Sequence, residues 1–251
     1  METQLNYEVD IPLKPLYIRM IAEAIPNAYY LYDEHVNEQN FLTDNGRDGE
    51  IWNYINKCAS EVLPVDSFQI VVMNRGIWKF LGLYDKETHY LYTLMREKNL
   101  TNIQKKISDH LFHYLNALSK LNDELAETYE PIYHQMSLFG VDSYDEEGNE
   151  VLEKILKSMI RKIDGDIERY VLIAFDSDRF GVVKNIRGII PSKGLDFYKD
   201  ENWNTYIATE YEISEEAGQE SEVLENIVLL QRKPRMKRVE KTKRTTKKIN
   251  E

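Results

Sequence analysis

Three consecutive runs rich in aromatic and β-branched residues constrain the fold of this chain more than any other feature of its sequence. They extend over residues 68–73, 77–84 and 89–95, separated by three and four residues. Both joints are short enough for hairpins, so the pattern predicts a three-stranded antiparallel meander. Both alternating faces of the third run carry apolar side chains, which predicts that helices cover the sheet on both sides.

Amphipathic helices and a second β region complete the predicted architecture. Residues 15–24 have helical spacing, and we expect Pro26 to end that helix, so residues 29–49 are predicted to form a loop. The other predicted elements are helices at 51–62, 101–127 and 151–164, strands at 170–175 and 180–191, a short helix at 203–207, and a strand or helix at 223–230. The predicted class is α+β, with an antiparallel sheet built from hairpins at about 68–95 and 170–191 and covered by amphipathic helices.

Charge divides the chain into two unlike parts. Residues 232–251 hold ten Lys or Arg and two Glu, about +8 in net charge, whereas residues 1–231 hold 22 basic and 41 acidic side chains, or −19. We predict an acidic body over 1–231, either one α+β domain or two closely packed halves at about 1–140 and 141–231, and a disordered basic tail over 232–251.

The tail is predicted to contact nucleic acid or another polyanion through its cationic side chains. These are Arg232, Lys233, Arg235, Lys237, Arg238, Lys241, Lys243, Arg244, Lys247 and Lys248. The alternative is that the tail lies on the acidic body of the same chain.

Composition also bears on the compartment and on partners. No apolar run reaches the roughly 20 residues of a membrane-spanning helix, and acidic residues interrupt the N-terminal segment where a signal peptide would be apolar. The single cysteine, Cys58, lies among apolar neighbours and is predicted to be a small core residue. We predict a cytoplasmic protein without membrane contact, whose partner is a protein or a nucleic acid and which can also form a homo-oligomer.

Two parts of the chain carry a resemblance to other proteins. They are residues 75–78, 83–88 and 91–98 of the hairpin region, and a second stretch from Phe175 through Asp178, Arg187 and Ile190 to Trp203. In these parts the chain resembles an uncharacterised family of proteins from Firmicute bacteria and their phages. Together these stretches cover about half of the acidic body. The family is known only as a domain of unknown function, so the resemblance implies a bacterial or phage origin and an α+β fold but no catalytic residues.

Asp176 and Asp178 form the strongest candidate for a metal site. They lie two positions apart at the end of a predicted strand, so their side chains share one face. A third carboxylate would let them hold Mg²⁺ or Mn²⁺. The candidates for it are Asp164, Asp166 and Glu168. A hairpin turn that uses Asp for local hydrogen bonds accounts for the same two residues, and the neighbouring Arg179 favours that interpretation.

Two other metal motifs fail at individual positions. His110 and His113 are three apart in the predicted long helix, but no further Cys or His lies at a ligand-like spacing. In the acidic stretch 142–150, a calcium loop with Gly148 at its sixth position would place Ser143 first and Lys154 twelfth, where carboxylates are needed. The sequence therefore predicts no cofactor.

A basic and aromatic surface patch is predicted around the first hairpin. A nuclease would need a Glu and a Lys separated by one residue on a strand, and the adjacent pair Glu97 and Lys98 lacks that spacer. The region nevertheless carries side chains suited to contact with nucleic acid. These are Arg75, Trp78, Lys79, Arg96 and Lys98. The alternative is that Trp78 packs under the sheet and the charges only line its rim.

These features predict an interaction protein that binds a macromolecular partner, with the tail adding non-specific electrostatic contact to nucleic acid or to an acidic surface. The sequence contains no phosphate-binding glycine loop, nucleophile elbow or paired-cysteine motif, so it argues against catalysis. The alternative function is a metal-dependent hydrolase that acts on nucleic acid or nucleotides through Asp176 and Asp178.

Overall fold

A computed structural model describes residues 9–40, 43, 45–105, 112–130 and 146–207. The strands in this part of the chain form one six-stranded sheet in the order β1 to β6. They are β1 (Phe68–Arg75), β2 (Trp78–Asp85), β3 (Tyr90–Arg96), β4 (Arg169–Ser177), β5 (Val183–Pro191) and β6 (Phe197–Asn202). All neighbours are antiparallel except β3 and β4, which are parallel. The predicted α+β class is confirmed, with one parallel pair joining two antiparallel groups of three strands.

Helices cover both faces of this sheet. They are α1 (Pro15–Gln39), α2 (Arg47–Val62), α3 (Glu97–Lys105), α4 (Tyr114–Ser119) and α5 (Glu146–Ile160), with 3₁₀ helices at Lys120–Glu127 and Asn204–Tyr206. The buried side chains of α1 and α2 form one apolar cluster with one face of the sheet, and those of α3, α4 and α5 form a second cluster with the other face. The parallel step from β3 to β4 requires a long crossover, and the second helical layer provides it.

The first helix is longer than predicted. α1 continues through Pro26 to Gln39, so the predictions that Pro26 ends the helix and that residues 29–49 form a loop are wrong. Proline removes one backbone donor and crowds the carbonyl four residues earlier. Burial outweighs that cost here, because Ala28, Tyr29 and Tyr32 beyond the proline all pack into the core. Most helix stability in proteins comes from such packing rather than from local propensity.

The predicted single helix over residues 101–127 is also wrong. α3 already begins at Glu97, and α4 begins only after His113, whose backbone is extended at φ −69° and ψ 146°. The His113 Nδ1 accepts a hydrogen bond from the Leu115 N–H at 3.2 Å and so caps α4. Histidine is not among the residues usually preferred at a helix N-cap, so the pattern concealed this break.

Gly188 of β5 leaves room for the buried indole of Trp203. A Cβ atom at position 188 would lie 2.1 Å from Trp203 Cζ2, and the indole is only 3% exposed. We expect Gly188→Ala to lower the free energy of unfolding by about 2 kcal/mol. Gly82→Ala is the matched control, because its nearest neighbour is the flexible end of Met73, and it should cost less. Urea denaturation measures both, and equal losses would contradict this account.

Candidate functional site

The sheet divides between β2 and β3 at the end where β3 finishes. β2 pairs with β1 at all eight of its positions, and β3 pairs with β4 at all seven. Between themselves, β2 and β3 pair only at Leu83 with Tyr92 and at Tyr84 with Leu91. Residues 78–82 and residues 93–96 therefore form no ladder pairs with each other, and we name this unpaired end of the two strands the fork. It lies at the carboxyl end of β3, the first strand of the parallel pair.

Arg96, the last residue of β3, lies at the mouth of the fork. Its Nη2 donates a hydrogen bond to Tyr29 Oη of α1 at 2.9 Å, and its Nη1 donates one to Asp48 Oδ1 of α2 at 3.4 Å. The guanidinium also lies over the ring of Trp52, 5.7 Å from its centroid. The Arg96 Nε is buried and has no hydrogen-bond partner among the described residues. The guanidinium is therefore well supported but retains donor capacity.

Trp78, the first residue of β2, places an exposed indole at the same mouth. Its side chain is 57% exposed, and the neighbouring Ile77 is 92% exposed. The indole borders the first turn of α2, since a Cβ atom at Gly49 would lie 3.8 Å from the ring. Asp48, the residue before Gly49, is the one that pairs with Arg96. The first turn of α2 thus contacts both the indole and the guanidinium.

Tyr29 ties several elements together behind Arg96. Its ring is buried in the core beneath α1, and its hydroxyl also shares a hydrogen bond of 3.2 Å with Ser177 Oγ at the end of β4. Gly181 lies against the ring with a φ of 87°, and a Cβ atom there would be 2.5 Å from Tyr29 Cγ. Only glycine meets both requirements at low cost. Arg96 is therefore held by a rigid base.

Arg47 fixes the start of α2 in a similar way. Its Nη1 lies 3.5 Å from Asp33 Oδ1 of α1, and its Nη2 donates a hydrogen bond of 3.0 Å to the backbone oxygen of Arg179. The guanidinium lies over the ring of Tyr32, 5.1 Å from the centroid. These contacts join α1, α2 and the turn after β4. The turn that carries Asp48 is consequently positioned from both sides.

The predicted patch residues lie in different surroundings. Trp78 lies next to Gly49 and Arg96 next to Asp48, both in the first turn of α2, and Trp78 does not pack under the sheet. Arg75 instead contacts His113 Nε2 at 3.2 Å and lies 5.2 Å from the ring centroid of Tyr114. Lys79 and Lys98 are both exposed, beside Trp78 on β2 and just after β3, and neither forms an ion pair within the described residues. The fork mouth therefore has one lysine close to each of its two strands.

Asp178 takes part in the turn between β4 and β5. Its Oδ1 accepts hydrogen bonds from the Phe180 N–H at 2.9 Å and the Val182 N–H at 3.1 Å, while Lys184 Nζ lies 4.0 Å from its Oδ2. Asp176 is exposed near the end of β4. The suggested third carboxylates, Asp164, Asp166 and Glu168, all precede β4. A strand of this length puts them about 25 Å from Asp176.

The remaining candidate residues from the sequence lie either elsewhere in the structure or outside its described part. The described residues contain no group of three or more His, Cys, Asp or Glu arranged to hold a metal ion. His110, Ser143, the segment 223–230 and every cationic residue of the tail lie outside the described residues, whereas Gly148 and Lys154 lie within α5. Cys58 is buried, as predicted. Asp48 and Gly49 were missed because their segment was assigned to a loop.

Comparison with known proteins identifies the chain only at the level of a family model. A model described as a family of unknown function (DUF5986) matches residues 11–251. The comparisons with curated proteins and with solved structures find no match. None of the described helices is both long enough and apolar enough to cross a membrane.

Proposed function

Because the chain belongs to a family of unknown function, DUF5986, we propose a function from its own geometry: the fork mouth binds single-stranded nucleic acid. The observation that carries this proposal is the exposed indole of Trp78 beside the supported guanidinium of Arg96. The two side chains belong to different strands and border neighbouring residues, Gly49 and Asp48, in the first turn of α2. An aromatic face and a fixed cation are the two groups that single-strand binding proteins combine.

Stacking on Trp78 favours an unpaired base over a base pair. Every base has a π-face that an indole can cover, whereas a paired base in a duplex already has both faces stacked. Because the indole is more than half exposed, the fold itself buries little of its apolar surface. A stacked base would bury that surface without any change in the fold. Trp78 therefore supplies sequence-tolerant affinity for a single strand.

The cations around the fork supply the contact with phosphates. Lys79 and Lys98 are exposed and unpaired within the described residues. β6 runs parallel to β3 and β4, so Ile207, which follows it, lies at the same end of the sheet as the fork. From there the chain leads to the basic segment 232–251, whose charge is about +8. Binding should consequently weaken as salt rises.

Fluorescence anisotropy with a labelled oligothymidylate, and with a duplex of equal length, tests this proposal. We expect Trp78→Ala to weaken binding to the single strand about tenfold, in line with the loss of one stacked base, and to change binding to the duplex little. Trp78→Phe should recover part of the loss. Charge reversal at both Lys79 and Lys98 should weaken binding to both ligands and reduce the salt dependence.

Phe180→Ala is the matched control for the loss of an exposed aromatic ring. Phe180 is 59% exposed, close to the value for Trp78, and lies at the turn between β4 and β5. It should leave affinity for the single strand unchanged. The proposal fails if the full chain does not bind oligothymidylate at low salt, or if Trp78→Ala and Phe180→Ala have equal effects.

A further inference from the structure

We infer that the carboxylate of Asp48 occupies, on Arg96, the position that a phosphate group takes when a ligand binds at the fork. This inference rests on the proposed function and deepens it, because it names the phosphate contact and an internal competitor for it. Asp48 thereby lowers the affinity of the fork for anions, and removal of its charge should increase that affinity.

The geometry of the pair is that of a weak and replaceable contact. Arg96 Nη1 and Asp48 Oδ1 are 3.4 Å apart, longer than the 2.7 to 2.9 Å of strong charge-assisted hydrogen bonds. The Asp48 side chain is 90% exposed, whereas that of Arg96 is 23% exposed. When an exposed carboxylate in such a pair moves away from the guanidinium, water hydrates it fully, so the separation costs little free energy. The guanidinium stays in place, because Tyr29 and Trp52 hold it from below.

The chemistry of the two anions explains the exchange. Carboxylate and phosphate both match the planar set of donors on a guanidinium, and both can accept two of its N–H groups. Asp48 uses only one of them, on Nη1, and Nη2 carries a second N–H besides the one that Tyr29 accepts. Inorganic phosphate has more acceptor oxygens and a larger charge than Asp48, and a phosphodiester of a single strand matches the carboxylate with one charge and two non-bridging oxygens. Either phosphate group can therefore accept from Nη1 and Nη2 together, whereas Asp48 accepts from Nη1 alone.

The position of Trp78 links this exchange to a nucleotide ligand. The indole borders Gly49, the residue immediately after Asp48. A base stacked on Trp78 would bring its own phosphate to the turn that now presents the carboxylate. The same contacts would accept free inorganic phosphate, so the two sources of the phosphate group have to be distinguished by experiment.

The first experiment uses inorganic phosphate and the full chain. Thermal unfolding is followed in phosphate and in chloride at equal ionic strength for the wild type, Asp48→Asn and Glu50→Gln. Glu50 is the matched control, since it lies in the same turn and its replacement removes the same charge. We expect phosphate to raise the Tm of Asp48→Asn more than that of the wild type, and Glu50→Gln to behave like the wild type. Equal shifts in all three proteins would overturn the inference.

The second experiment is a double-mutant cycle with oligothymidylate. Asp48→Asn should tighten binding about threefold, and Arg96→Lys should weaken it, because lysine keeps the charge but loses the planar donor set. In the Arg96→Lys background, Asp48→Asn should bring no gain. A gain that persists there would show a general charge effect and would overturn the inference.

The two experiments separate the inference from the proposed function. If phosphate stabilises Asp48→Asn selectively but oligothymidylate does not bind, the anion site stands and the nucleic-acid function fails. If oligothymidylate binds through Trp78 but Asp48→Asn changes neither phosphate stabilisation nor affinity, the function stands and the role of Asp48 is refuted. A merely structural role of Asp48 in α2 would lower the Tm equally in both salts.

Discussion

Replacing Asn122 by Ala is expected to lower the free energy of unfolding by about 4 kcal/mol, because the change leaves three buried backbone groups without partners. Asn122 Nδ2 donates hydrogen bonds of 2.9 Å to the backbone oxygens of Tyr170 and Pro191, and its Oδ1 accepts one of 2.9 Å from the Tyr170 N–H. The ladder between β4 and β5 has its last pair at Leu172 and Ile189. Asn122 therefore supplies hydrogen bonds where the ladder stops.

Urea denaturation of Asn122→Ala and Ser119→Ala provides the measurement and its control. Both wild-type side chains are fully buried, but Ser119 Oγ makes one hydrogen bond, to Leu115 O one turn earlier in its own helical segment. Loss of that bond should cost about 1 kcal/mol. Asn122→Asp should also be strongly destabilising, because it loses both donors and buries a charge. Similar losses for Asn122→Ala and Ser119→Ala would refute the role assigned to Asn122.

The sequence predicted five of the six strands because their signals are local, but it did not predict β6. Aromatic and β-branched runs with short joints mark β1, β2 and β3, and the structure ends each strand within three residues of the prediction. The resemblance to a family of unknown function is likewise confirmed by the match over residues 11–251. In each of these cases the information lies in residues that are close together in the chain.

The helices were predicted less well because packing decides their ends. The helix-breaking tendency of proline predicted that α1 would end at Pro26. Burial of Tyr29 and Tyr32 instead keeps the chain helical beyond it. Conversely, a continuous apolar stripe conceals the break at His113. Local patterns cannot show that a tertiary contact compensates for a poor local preference, or that a well-patterned helix is interrupted.

The fork could not be predicted from either of its strands alone. Its existence depends on the small number of pairs between β2 and β3, and its chemistry depends on Arg96 meeting Asp48 and Tyr29 from other elements. Sequence analysis did select Trp78 and Arg96, because aromatic and basic residues near a hairpin are typical of nucleic-acid surfaces. It had no means of separating them from Arg75, which binds His113 instead.

Arg187→Met is expected to lower the free energy of unfolding by about 3 kcal/mol at neutral pH, since it leaves two partly buried carboxylates without their cation. Arg187 donates to both oxygens of Glu97, with Nε to Oε1 at 2.5 Å and Nη2 to Oε2 at 2.9 Å, and its Nη1 donates to Asp200. All three side chains are about one-fifth exposed, at 22%, 18% and 19%. Lys14→Met, which breaks an exposed pair with Glu87, is the control and should cost far less than Arg187→Met.

The pH dependence of this loss distinguishes lost charge pairing from lost packing. Burial already raises the pKa of Asp200 above its usual value, and Arg187 opposes that increase. Without Arg187 the pKa should rise further, so the folded variant binds a proton more tightly than the unfolded chain does. Its deficit in stability relative to the wild type should then shrink as the pH falls from 7 toward 4.

A second replacement tests the ion-pair cluster of Arg187, Glu97 and Asp200 further, first through stability and then through binding at the fork. Arg187→Met combined with Asp200→Asn should recover part of the lost stability at neutral pH, because one uncompensated carboxylate is gone. A deficit that is independent of pH and is not reduced by Asp200→Asn would mean that Arg187 acts through its guanidinium, which lies over the ring of Phe197 at 5.4 Å from the centroid. Glu97 directly follows Arg96 in the chain. Loss of its anchor should therefore weaken oligothymidylate binding as well, although Arg187 contributes no contact at the fork mouth itself.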